Sequence, residues 1–171
     1  ESQLTNLLEQ RLTDGLVLDA MVGKPEQLWR IRHGISESVQ SLGRMVAFDI
    51  AVVRSRFGAF RAQAVQLVEQ MVEGAVVGDF GHLGDGGVHM NVVVPTGTPD
   101  ATVDTLRDAV YALTVDGFDG SFSAEHGVGP ANQRWYAQYT EAAKLELAPA
   151  LHRHFDVSHR LGNVRLDHQT P

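Results

Sequence analysis

Apolar residues return at helical spacing near the start of the chain, at Leu4, Leu7, Leu8 and Leu12, and Asp14-Gly15 ends the run. That spacing predicts an amphipathic helix over residues 2–12. Residues 16–22 are rich in apolar side chains and predict a short buried strand. A second helix is expected from Pro25 to about Val39, because proline suits the first helical turn. Over residues 45–53 the period changes to two. Val46, Phe48, Ile50 and Val52 make one face, and Met45, Ala47, Asp49 and Ala51 make the other. Phe57, Phe60, Ala64, Leu67, Val68 and Met71 then form a helical stripe closed by Gly74. Residues 75–83 and 88–94 read as strands around Gly84-Asp85-Gly86-Gly87. Thr98-Pro99-Asp100 reads as a helix cap, followed by a stripe of Val103, Leu106, Val110 and Leu113. Residues 120–124 predict a short strand leading into Glu125-His126-Gly127. Residues 133–148 predict a helix that Pro149 interrupts.

From residue 45 to 125 the order is β-α-β-β-α-β. This predicts an α+β fold of the ferredoxin-like, split βαβ kind, an antiparallel sheet with helices on one face. A helical segment closes the chain. Only helix, strand and helix precede the complete unit, so a first unit lacking its opening strand is expected. Glu1 in place of an initiator Met agrees with a chain cut inside a domain.

Composition narrows the function. The chain has 171 residues, 14 basic and 21 acidic side chains and a formal charge of −7. Its 43% apolar and 20% charged content is globular and excludes a disordered chain. The length fits one domain, residues 1–171, able to bury a core. The acidic balance argues against a nucleic-acid partner, which needs a basic face. No apolar run reaches the length of a membrane span and no signal pattern opens the chain, so no span and a cytoplasmic location are expected. The absence of cysteine excludes a disulfide scaffold, a CxxC pair, a thiolate zinc site and a Cys nucleophile. Any metal must be held by imidazole and carboxylate.

The stretch Gly81-His82-Leu83-Gly84-Asp85-Gly86-Gly87-Val88-His89-Met90-Asn91 carries the most chemistry. Asp85-Gly86 favours a two-residue hairpin turn. That register sets Leu83 opposite Val88 and His82 opposite His89. Opposed residues have Cβ atoms about 5 Å apart, close enough for two imidazoles to reach one ion. Alternation places Phe80 and Asn91 on the same face, and Leu83, Val88, Met90, Val92 and Val94 on the core face. A solvated hairpin with two incidental histidines is the plainer alternative. Ser123-Ala124-Glu125-His126-Gly127-Val128-Gly129 adds a carboxylate. Glu125 as third ligand would complete a two-imidazole, one-carboxylate set with an open position, leaving His126 as a proton acceptor. An ordinary loop with a surface Glu-His pair stays open beside it.

Residues 28–37 form the third block. Leu28, Ile31 and Ile35 make a packing stripe, and Arg32 and Ser36 share a helix face. A guanidinium beside a hydroxyl suits capture of a carboxylate. Arg30 reads as a solvated cation, Trp29 as a core residue, and Arg44 and Asp49 as structural. His33, His152, His154, His159 and His168 show no ligand spacing beyond a His152/His154 surface pair.

Together the three blocks resemble the C-terminal substrate domain of FAD-linked oxidases of the vanillyl-alcohol oxidase type. Within that type they are similar to the D-2-hydroxyacid dehydrogenase branch, which includes D-2-hydroxyglutarate dehydrogenase, D-lactate dehydrogenase and the glycolate oxidase large subunit. The resemblance covers residues 28–156. It implies that His82, His89 and Glu125 bind a divalent metal, zinc in many members, which engages the hydroxyl and carboxylate of a small 2-hydroxy acid. It implies that His126 takes the hydroxyl proton while hydride leaves C2 for the flavin N5. Arg32, Ser36 and Asn91 match substrate contacts. The implied FAD would be bound mainly by an N-terminal domain that this sequence lacks, and no GxGxxG substitutes for it. The chain alone is therefore expected to be inactive. Neither the electron acceptor nor the acid oxidised is assigned, and exposed apolar surface is a route to a homodimer.

Three positions depart from the family pattern. Ala47 stands where a lysine is common, which puts glutarate-like specificity in question. Gly87 replaces the usual Asn of the turn. Arg160-Leu161-Gly162-Asn163 replaces an Asn-Pro-Gly-Lys-like close after Asp156. These changes leave two further readings open: a metal-binding or degenerate homologue without redox activity, and a ferredoxin-like interaction or regulatory domain. Metal-dependent hydrolysis is conceivable from the same side chains, but no HExxH motif is present.

Overall fold

The computed structural model describes residues 2–21, 23–158 and 160. It falls into two compact units, residues 1–38 and residues 39–171.

In the first unit, helix α1 spans Ser2–Thr13, and helix α2, Pro25–Gln40, begins here. The strand expected over residues 16–22 does not form across residues 16–21, and Val22 lies outside the described residues. Its apolar residues are committed to stopping α1. Gly15, at φ 70°, lets Leu16 N–H donate to Arg11 O while Gly15 N–H donates to Leu12 O. This pair of bonds is a Schellman stop, and it bends the chain away from an extended path. Most of both apolar stripes is exposed, with Leu8 and Ile35 half-buried, and Trp29, expected in a core, is 59% exposed with its ring against His33. No described side chain of residues 2–38 is fully buried.

The second unit holds the core. Strands β1 (Arg44–Ala51), β2 (Val76–Phe80) and β3 (Gly87–Val94) form an antiparallel sheet in the order β1-β3-β2. Helix α3 (Phe57–Met71) connects β1 to β2, and helix α4 (Asp100–Ala112) follows β3. The α+β architecture and its antiparallel sheet are those expected. The fourth strand is reduced to a single antiparallel bridge, Ala51 to Ser121, on the free edge of β1. Beyond it the segment leaves the regular register: Ala124 N–H, one residue late, donates to Asp49 O, and the amides of Ala124 and His126 also donate to the Asp49 carboxylate.

Alternation in the strands separates packing from chemistry. Val46, Phe48 and Ile50 of β1 join Val88, Met90, Val92 and Val94 of β3 in one buried cluster with Phe60, Ala64 and Val68 of α3 and Val103, Leu106 and Val110 of α4. Tyr111 lies edge-on between Phe48, Phe122 and Trp135. The other face of the sheet presents Ala47, Asp49, His89 and Asn91, which are paired Asp49 to His89 and Ala47 to Asn91.

Three expected boundaries shift. Leu83, expected in the core, is 50% exposed because it lies in the loop beyond β2. Helix α4 is capped by Pro99 without a side-chain hydrogen bond, since the Thr98 hydroxyl donates to Pro95 O instead. The C-terminal helix breaks at Thr140–Glu141 rather than at Pro149. Helix α5 is Gln133–Tyr139, and α6, Ala142–Phe155, runs through the proline. Residues 161–163, with most of the altered family close, lie outside the described residues, as do His159 and His168. Among the described residues no helix is long and apolar enough to cross a membrane.

Candidate functional site

The hairpin that carries the histidines is looser than a two-residue turn. Phe80, not His82, stands opposite His89. The displacement is two residues, so each strand residue keeps the face alternation assigned to it. Residues 81–86 form the connection. His82 O accepts from Asp85 N–H, and the Asp85 carboxylate accepts from Gly87 N–H, an Asx turn that closes the loop. Gly86 has φ 94°, and a Cβ there would meet Val52 O at 2.4 Å. Glycine is needed at this position for both reasons. Val52 N–H donates to Gly86 O and Arg54 donates to Gly84 O, which ties the loop to the end of β1.

The two histidines still converge. Their rings lie 5.9 Å apart, and Glu125 sits between them. One carboxylate oxygen is 2.9 Å from His89 Nε2 and the other is 3.3 Å from His82 Nδ1. The His126 ring stacks on His89 at 4.9 Å, with its Nε2 3.7 Å from Glu125. A cleft of about 250 Å³ opens here, lined by Asp49, Ala51, His82, Asp85, Gly87, His89, Ala124 and Glu125.

Asp49 enters this arrangement although its pattern suggested only a structural role. Its Oδ2 accepts from His126 N–H at 2.7 Å and from Ala124 N–H at 3.3 Å. Its Oδ1 lies 3.3 Å from His89 Nδ1, and these two buried atoms face one another without an aligned hydrogen bond. The signal in the sequence was a carboxylate in phase with the non-core face of β1. Its pairing with His89 depends on strand register, which no local pattern shows.

The donor set fits a divalent cation. Ligands at about 2.0–2.2 Å from a tetrahedral ion stand about 3.3 Å from one another; Glu125 stands at such a distance from each imidazole, through a different oxygen for each. Three carboxylates, Asp49, Asp85 and Glu125, line the cleft with the imidazoles of His82 and His89 and no Lys or Arg, an environment that favours positive charge. The group whose donor atoms all lie within 4.8 Å of one another is Asp49, His89, Glu125 and His126, and His82, expected as a ligand, is joined to it only through the second oxygen of Glu125.

The remaining expected site residues are one in the second unit and two in the first. Asn91 is on the same sheet face as His89 but is buried, and its amide donates to the carbonyls of Gly78 and His89. Arg32 and Ser36 are one turn apart in α2, in the first unit, whereas the histidine–carboxylate cluster belongs to the second.

Residues 1–164 match the family described as FAD linked oxidases, C-terminal domain. D-2-hydroxyglutarate dehydrogenase from Xanthomonas citri pv. viticola is 33% identical over 148 residues, 81% of this chain and 31% of that protein. The mitochondrial D-2-hydroxyglutarate dehydrogenase of Rattus norvegicus is 34% identical over 151 residues, 84% of this chain and 27% of its own length. D-2-hydroxyglutarate dehydrogenase from Stutzerimonas stutzeri is 32% identical over 157 residues, 86% of this chain and 33% of that protein. The chain thus spans about a quarter to a third of the length of these curated relatives.

Proposed function

The chain belongs to the family of FAD-linked oxidase C-terminal domains, and from that premise we propose that it forms the substrate- and metal-binding part of a flavin-dependent dehydrogenase acting on a small D-2-hydroxy acid. The observation that carries this reading is the convergence of His82 and His89 on the two oxygens of Glu125. These three residues would hold a divalent cation, zinc being the ion best suited to imidazole and carboxylate in a tetrahedral set. When bound, the cation supplies Lewis acidity to the substrate hydroxyl and the flavin supplies the hydride acceptor.

The chain's own residues do the rest. His126 is 65% exposed on its side chain and stacks beside the cluster, so it is free to take the hydroxyl proton. Asp49 and the hairpin keep the ligands in place. Arg32, Ser36 and Asn91 enter this proposal as the substrate contacts that the family resemblance implies, with Asn91 buried beneath the site face. Ala47, paired with Asn91 on that face, offers no cation to a second carboxylate. This favours a monocarboxylic acid over a dicarboxylic one. FAD would be held mainly by polypeptide outside these residues, which makes this chain alone inactive.

The test is flavin reduction by D-2-hydroxy acids in the complete polypeptide, followed by bleaching of the flavin's visible absorbance. His126→Ala is expected to slow reduction about 10²–10⁴-fold while leaving zinc content unchanged. A complete polypeptide that binds zinc but never reduces its flavin with any 2-hydroxy acid would favour the second reading, a metal-binding homologue without redox activity. The changes at Ala47 and Gly87 motivate that alternative. The tight grouping of Asp49, His89, Glu125 and His126 supports a different ligand set. Loss of zinc from His126→Ala with retention in His82→Ala would select it.

A further inference from the structure

Asp49 is the most buried carboxylate in the cluster, and it touches both elements that supply the ligands. Its side chain is 12% exposed and that of His89 is 14%, against 49% for Glu125 and 56% for His82. One oxygen holds the backbone of the loop carrying Glu125 and His126, through the amides of Ala124 and His126. The other faces His89 Nδ1, whose ring presents Nε2 to Glu125 at 2.9 Å. The Ala124 amide also donates to Asp49 O at 3.0 Å, so main chain and side chain of this residue grip the same loop.

We propose that Asp49 is a positioning residue that assembles the cation pocket before the cation arrives. Its Oδ1 stands 3.3 Å from His89 Nδ1, placed to accept that proton once the ring turns into line, which leaves Nε2 as the lone pair toward Glu125. Its Oδ2 fixes the turn of residues 124–126, so that Glu125 and His126 point at the same place. A histidine ligand with its second nitrogen held by a carboxylate has a fixed tautomer and ring direction, and loss of such a partner costs metal affinity. Burial makes this carboxylate the better holder. Glu125 and His82 exchange contacts with water, whereas the facing atoms of Asp49 and His89 are closed to it. The small ring rotation that would align these two atoms is the motion expected when Nε2 is engaged.

This inference rests on the cation reading above, and the experiment separates the two. Zinc ion alone is titrated into the 171-residue chain by calorimetry, and amide exchange at Ala124 and His126 is followed by NMR without zinc. Asp49→Asn keeps an oxygen for the loop amides but turns an NH₂ group toward His89 Nδ1. It is expected to retain most of the amide protection and to bind zinc about 10–100-fold more weakly. It should also lose the slowly exchanging Nδ1–H resonance of His89 that is expected in the zinc-loaded parent. Asp49→Ala is expected to lose both the protection and the affinity. A purely structural role would leave zinc affinity and the His89 resonance of Asp49→Asn unchanged, and that result overturns the proposal. If the parent takes up no zinc, the cation reading fails. Asp49 is then judged on exchange alone, with unprotected Ala124 and His126 amides in the parent counting against it. That parent measurement also decides the matter if the variants do not fold.

Discussion

At the scale of single residues, the hairpin works because side chains are absent where the backbone must close in. Gly86 has both a positive φ and a carbonyl at 2.4 Å from where a Cβ would sit. Gly86→Ala is therefore expected to destabilise the fold by about 2 kcal/mol or more, from backbone strain and the contact with Val52 O. Chemical denaturation should show a lower midpoint with an unchanged slope. The variant should also weaken zinc binding, since the loop carries His82. Residue types made much of the site readable in advance. With no cysteine, a metal could only sit among histidines and carboxylates, and His82, His89, Glu125 and His126 do cluster. Asp49 was unreadable as a member because its significance lies in a pairing across β1 and β3.

At the scale of elements, periodicity located the strands and helices of the second unit well, because each buries one face against the others. It failed where a segment's partner was missing or where local bonding won. Residues 16–21 have apolar character but no neighbouring strand, so the stop of α1 takes their first amides. The fourth strand stops where Ala124 reaches the Asp49 carbonyl one residue out of register and the Asp49 carboxylate takes the His126 amide. Pro149 misled in the other direction. It lies in the interior of α6, where its ring removes one helical donor and crowds the preceding turn. Pro149→Ala is expected to strengthen this helix by roughly 1–3 kcal/mol. Amide exchange within residues 142–155 is the proper measurement, because α6 contributes no fully buried residue and can fray without the core. If exchange there is unchanged, the proline is already accommodated without cost.

At the scale of the whole molecule, stability is concentrated in the second unit, and its alkaline limit follows from a buried ring. Tyr111 is 1% exposed, and burial pushes its hydroxyl above the ordinary value of 10.0. Tyr139 is raised in the same direction, also first by burial. Because the folded chain holds these protons more tightly than the unfolded one, stability is full below about pH 10 and falls as pH rises from there toward the folded values. Thermal melts from pH 8 to 11 should show this decline, and Tyr111→Phe should flatten it at the cost of the 3.3 Å contact between the Tyr111 hydroxyl and Asn132. A parent melt that is level through pH 11 would contradict this linkage. The single bridge between Ala51 and Ser121 has a separate consequence. Beyond that bridge residues 121–126 are held to β1 through the carbonyl and carboxylate of Asp49 rather than by a full ladder, so they can open as a local unit while the sheet stays intact. Entry and escape of anything held by Glu125 would then follow the clock of a local opening, so residence time at the pocket could drift over generations without any change in how firmly the domain itself is folded.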